Sequence, residues 1–213
     1  MVAFGREEAW AFMDGSSGQS VANAMEKPFL MPVEDVYHLQ QGRVIMVTGR
    51  IERGRVRKGD AIEIIGSGGS ATALVADIEQ GRVRIAEAKA DMNVGVLLRG
   101  VARDAVERGQ VLATPGSAGA HVGFTADITL LSEEQGSVGV VSGDRLCFYI
   151  RTAIVWGVVT LPEGVDVVRP LHGAEVAVAL EGPVVLEEGR SFAFRHRGRA
   201  AGSGIVTRLL CEA

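Results

Sequence analysis

From Phe29 onward, short runs rich in valine, isoleucine and leucine recur between glycine-marked turns, and this rhythm leaves little choice of fold. Arg43 to Ile51, Ala61 to Ile65, Thr72 to Ile78, Val94 to Arg99 and Gln110 to Ala113 each favour extended backbone, because β-branched side chains lose little freedom there. Ala86 to Ala90 and Asp104 to Arg108 read as single helical turns, too short to build a helical layer. Many short antiparallel strands expose many edges unless the sheet closes. The expected class is therefore all-β, closed into a barrel or packed as a sandwich.

Thr114 to Gly119, a proline among small residues, interrupts the rhythm and reads as a linker. A second strand series follows: Phe124 to Leu131, Arg145 to Ile150, Ile154 to Thr160, Glu175 to Leu180, Ser191 to Arg195 and Gly204 to Leu210. Leu161 to Gly164 and Glu187 to Gly189 serve as turns. The chain of 213 residues has room for two such cores. The expected division is a lead over 1–25, a first barrel over 26–116 and a second over 117–213. Within the lead, Asp14 to Gly18 reads as flexible and Glu7 to Met13 as one helical turn.

The residues offer little to catalysis. His38, His121, His172 and His196 are scattered, and Cys147 and Cys211 lack paired spacing, so neither a metal site nor a disulfide is expected. Adjacent carboxylates at Glu34–Asp35 and Glu133–Glu134 would point to opposite faces of a strand. Gly66 to Ala71 fits a loosened dinucleotide fingerprint, yet strand-forming residues follow it where a helix is required, and a hairpin loop is expected instead. No Gly-x-x-x-x-Gly-Lys-Ser/Thr loop occurs, so no cofactor and no GTP are expected. No apolar run reaches the roughly 18 residues of a membrane span, and the expectation is a cytoplasmic protein. The net charge of −4 disfavours general nucleic-acid coating but leaves two local basic groups, Arg50, Arg53, Arg55, Arg57 and Lys58, and Arg190, Arg195, Arg197 and Arg199.

Four segments carry a resemblance: Lys27 to Tyr37, Val47 to Gly54, Asn93 to Gly100 and Val106 to Ala113. They closely resemble the second domain of bacterial elongation factor Tu, and the remainder resembles that family's third domain. The resemblance implies two consecutive β-barrels without the GTPase domain, and it implies a pocket for the aminoacyl end of charged tRNA. The pocket's segments correspond to Glu34, Asp35, Val36 and Tyr37, then to Glu79, Gln80, Gly81 and Arg82, then to Asn93, Val94 and Gly95.

An aromatic ring at Tyr37 could stack on a base, Glu34, Asp35 and Glu79 could accept sugar hydroxyls, Asn93 would border the site and Arg82 could meet a phosphate. Gly81 stands where the family has a ring, and the turn between Leu39 and Val44 is altered. In the second barrel Glu134 to Val138 and Ser142 to Cys147 depart from the family's tRNA-facing segments, whereas Arg197 to Gly204 keeps Arg199. Arg195, Arg197 and Arg199 are the expected RNA-backbone contacts. The resemblance implies a noncatalytic binder of aminoacyl-tRNA or related RNA. The alternative is a module for a translation factor or another protein, docked on the surface that the GTPase domain covers in the family.

Overall fold

A computed structural model describes residues 26–39, 44–102 and 104–210. Every named element among them is a strand. The first ten are β1 (Leu30–Pro32), β2 (Asp35–Leu39), β3 (Val44–Arg50), β4 (Arg55–Arg57), β5 (Ala61–Gly66), β6 (Gly69–Gln80), β7 (Val83–Ile85), β8 (Glu87–Lys89), β9 (Asn93–Arg99) and β10 (Val111–Ala113). They form a sheet in the order β1-β10-β5-β6-β9-β3-β2, with β7 branching from β6 and β4 pairing β8. The sheet curls until β1 returns beside the end of β3, where Leu30 N–H donates to Arg53 at 3.1 Å and Glu52 N–H donates to Leu30 at 2.9 Å. Val47, Ile51, Ile62, Ile64, Ile78, Val96 and Leu98 fill the interior.

The second body is a closed antiparallel barrel of β11 (Ala120–Leu130), β12 (Arg145–Ile150), β13 (Ala153–Thr160), β14 (Gly173–Val185), β15 (Ser191–His196) and β16 (Arg199–Leu209). In β15 the side chains alternate exposed and buried, sending Phe192 and Phe194 inward to Phe124 and Phe148. Phe124 and Phe192 meet edge to face at 5.6 Å, a geometry the ring quadrupoles favour. Gly202 and Gly204 on β16 make room for these rings: a Cβ at either would come within 2.6 Å of Phe194 or Phe192. Small residues on one strand thus accommodate large ones on its neighbour.

Two expectations are corrected. Ala86 to Ala90 is not a helical turn but contains β8, which pairs with β4 and buries Ala88 and Val56. A ladder satisfies backbone groups that a single unsupported helical turn leaves open. Asp104 to Arg108 forms turns, with Gln110 folding back so that its Oε1 accepts from Glu107 N–H at 2.9 Å. Gly66 to Ala71 is a β5–β6 hairpin, with Gly66 opposite Gly69. The Glu7 to Met13 turn, Cys211 and the residues between Leu39 and Val44 lie outside the described residues.

The two bodies meet at an apolar seam, where Val185 packs with Leu30, Ile65, Val111 and Ala113. Beside it stands an ionic cluster. The Arg151 side chain is 2% exposed and donates to Glu52 at 3.1 Å, to Glu187 at 3.1 Å and to the Val185 carbonyl at 2.6 Å. Arg190 reaches Glu52 at 2.6 Å, and Arg53 reaches Glu187. Burial pushes the Arg151 guanidinium below its ordinary pKa, opposed by Glu52 and Glu187 and reinforced by Arg190. A charge so placed holds its geometry because each of its three nitrogens donates to a carboxylate or a carbonyl.

Candidate functional site

One cleft of about 300 Å³ opens on the outer face of the first sheet, lined by Glu34, Met46, Thr48, Gly49, Glu79, Gly81, Arg82, Asn93, Val94 and Gly95. Its volume sits at the lower end of the roughly 300–1,000 Å³ of small-molecule sites. Four residues singled out in the sequence, Glu34, Glu79, Arg82 and Asn93, converge here from separate parts of the chain.

Each is held by local structure. Glu34 follows β1, where its N–H donates to the Thr48 carbonyl at 2.9 Å and its own carbonyl accepts from Arg108 at 3.2 Å. Glu79 lies on β6 between Gly95 of β9 and Arg84 of β7. Arg82 sits in the two-residue turn joining β6 to β7, where Gly81 and Arg82 have φ of 57° and 69°. Two successive positive φ values define the tight hairpin turn whose twist matches its strands. Glycine at the first position relieves that strain, which gives Gly81 a structural reason where the resemblance implies a ring. Asn93 begins β9 opposite Arg50.

Gly95 forms part of the cleft floor. A Cβ there would press on Met46 Sδ at 3.2 Å, so the missing side chain leaves space between Thr48 and Glu79, its partners in the flanking strands. Asp35 and Tyr37 do not line the cleft. They lie on the edge strand β2 opposite Thr48 and Met46, which do, so they flank it. Tyr37 is 47% exposed. The cleft thus offers carboxylate acceptors, one guanidinium and one carboxamide over an apolar floor, with a phenol ring at its margin. Such a set suits a ligand carrying hydroxyls, a flat ring and a negative charge.

Arg195, Arg197 and Arg199 lie elsewhere, on the β15–β16 hairpin of the second barrel. Arg195 lies over the Tyr149 ring at 5.3 Å, and Arg199 runs past Gly136. The first basic group does not form one free face. Arg50 pairs with Asp91, Arg53 with Glu187, Arg57 with Glu87 and Lys58 with Asp77.

Sequence reasoning missed Met46 and Thr48, although the period of two in β3 carried a usable signal: buried Ile45 and Val47 leave Met46 and Thr48 on the opposite face. It also missed Arg108, whose guanidinium lies 3.9 Å from Asp35. Only the fold brings that turn beside β2.

Comparison with known families matches residues 45–113 to elongation factor Tu domain 2 and residues 117–210 to the elongation factor Tu C-terminal domain. The first match covers the β3–β10 part of the curled sheet, and the second covers the closed barrel. The chain belongs to the elongation factor Tu family through its domain 2 and its C-terminal domain.

Proposed function

We propose that this chain is a noncatalytic, translation-factor-like binding protein whose first sheet takes the acceptor end of an aminoacyl-tRNA or a related RNA. The observation that carries the reading is the convergence of Glu34, Glu79, Arg82 and Asn93 on one cleft. Tyr37 supports it as a stacking surface, a contact worth about 1–3 kcal/mol per base. Arg82 meets a phosphate, and the carboxylates accept the hydroxyls of the terminal ribose. Since the 213 residues carry no phosphate-binding loop, binding by this chain is insensitive to GTP.

The test is a titration of aminoacylated and uncharged tRNA, without nucleotide, at low and near-physiological salt. The expected result is preference for the charged form, with Arg82→Ala weakening binding and flattening its salt dependence. Equal affinity and equal salt slope in Arg82→Ala would remove the pocket assignment.

A second reading, docking of a translation factor or another protein, draws on a different feature. Ile154, Trp156 and Val158 form an exposed apolar stripe along β13, with Ile154 63% exposed. Tryptophan, tyrosine and arginine dominate protein contacts, and Arg145 over Trp156 and Arg195 over Tyr149 supply that composition here. Capture of protein partners from nuclease-treated lysate, lost on Trp156→Ala, is the expected result under this reading. Loss of all partners with the RNA supports the first.

A further inference from the structure

A second cleft, of about 510 Å³, adjoins the first and shares Glu79 with it. Its lining includes three cations, Lys58, Arg84 and Arg99, and two carboxylates, Asp77 and Glu79. The chain builds this cluster deliberately in one respect. The β6–β9 register shifts between Val75 and Asp77, a bulge that re-aims the side chains beyond it. Asp77 is left 8% exposed, its carboxylate 3.1 Å from Arg84 and 3.7 Å from Lys58.

The balance of charge and exposure points outward. The Asp77 side chain is only 12% exposed, whereas those of Lys58 and Arg84 are 62% and 69% exposed. Asp77 therefore lies beneath the two cations and orients them, while most of their donors face the opening. Both approach the same oxygen, Asp77 Oδ2, so neither is occupied in a two-pronged pair. The second contact of Arg84, to Glu79, is long at 3.8 Å. Arg99, at the end of β9, forms no ion pair among the described residues. Among the described residues, three cations against two carboxylates, one of them buried, leave a net positive mouth with free N–H groups.

We infer that this second cleft is a phosphate-binding subsite, with Arg84 and Arg99 as its principal donors and Lys58 as a third cation. The phosphate could belong to an RNA strand whose terminal nucleotide occupies the first cleft, or it could be free in solution. Only the RNA source rests on the function proposed above. The shared Glu79 wall makes the two clefts neighbours, as a nucleotide and an adjoining phosphate of one strand require.

The experiment has two arms. In the first, inorganic phosphate is titrated at constant ionic strength while the backbone amides of Asp77, Arg84 and Arg99 are followed by NMR. Saturable shifts are expected in the wild type, weakened at least about fivefold in Arg84→Gln and Arg99→Gln and unchanged in Arg208→Gln, an exposed arginine of the other barrel. Arg99→Gln removes no ion pair among the described residues and keeps the test valid should Arg84→Gln disturb Asp77. Absent or non-saturable shifts, or equal weakening by Arg208→Gln, overturn the subsite.

In the second arm, adenosine and a trinucleotide ending in adenosine are compared. Loss of trinucleotide affinity in Arg99→Gln, with a salt slope shallower by about 0.7 and unchanged adenosine binding, assigns the phosphate to the RNA strand. Unchanged trinucleotide binding with lost phosphate binding supports the subsite for a free anion. Phosphate binding by a protein that binds no RNA likewise supports the subsite while removing the RNA function.

Discussion

Glu52 and Glu79 are both glutamates beside arginines, and they do opposite work. Glu52 accepts from Arg151 and Arg190 at the seam between the two bodies, where the Arg151 side chain is 2% exposed. Glu79 stands between two open clefts, and its nearest arginine, Arg84, is 69% exposed and 3.8 Å away. In the first place the Arg151 guanidinium is buried and bound by two carboxylates and a carbonyl, so the charges hold the protein together. In the second the charges remain largely solvated and unspent, available to a ligand. Burial and pairing, rather than residue type, separate a structural ion cluster from the one proposed to bind.

The strongest attempt to break that contrast is Glu52→Ala, which leaves the buried Arg151 guanidinium short of a partner. The expected cost is about 3 kcal/mol, read as a lowered urea midpoint. Glu79→Ala is expected to cost less than about 1 kcal/mol, because its pairing is long and partly solvated. Similar losses in the two variants would erase the distinction.

A next effect, about 1–2 kcal/mol, is expected from Gly95→Val, which forces a side chain against Met46. It sharpens the contrast by filling the cleft, so loss of RNA affinity should exceed what the stability change explains. An unchanged affinity would place the ligand elsewhere. Trp156→Ala should cost less than about 1 kcal/mol, since the ring is 40% exposed and its stacked arginine stays paired to Glu181. A larger loss would make the β13 stripe structural rather than a docking surface.

The smallest effect concerns pH. The hydrogen bond from Arg145 holds the Glu181 carboxyl below its ordinary value of 4.5. A depressed folded-state pKa means the pair's contribution is complete above about pH 4.5 and fades as pH falls through the lower folded value. The Tm difference between wild type and Glu181→Gln should therefore be present at neutral pH and vanish in acid. A difference that grows in acid would contradict the pairing.

Strand positions were largely legible because their signal is local. Arg145 to Ile150 was expected and is β12, and Ser191 to Arg195 grew by one residue into β15. The short strands β4 and β8 were not legible, since neither Arg55–Arg57 nor Glu87–Lys89 has a pattern until each supplies the other's ladder. The cleft was half legible. Glu34, Glu79, Arg82, Asn93 and Gly95 were named from a resemblance, whereas Met46 and Thr48 enter only when β3 comes beside β9.

The sequence by itself determined the all-β class, the two strand series and the lack of a phosphate-binding loop, because side-chain period and motif spacing act over a few residues. The tertiary structure alone decided which paired charges are buried and which stay solvated. Arg53 and Arg57 read alike in sequence, yet one side chain is 17% exposed in the seam and the other 58% exposed beside Glu87. Solvent exposure depends on what the rest of the chain lays over a residue, and that is a property of long-range packing.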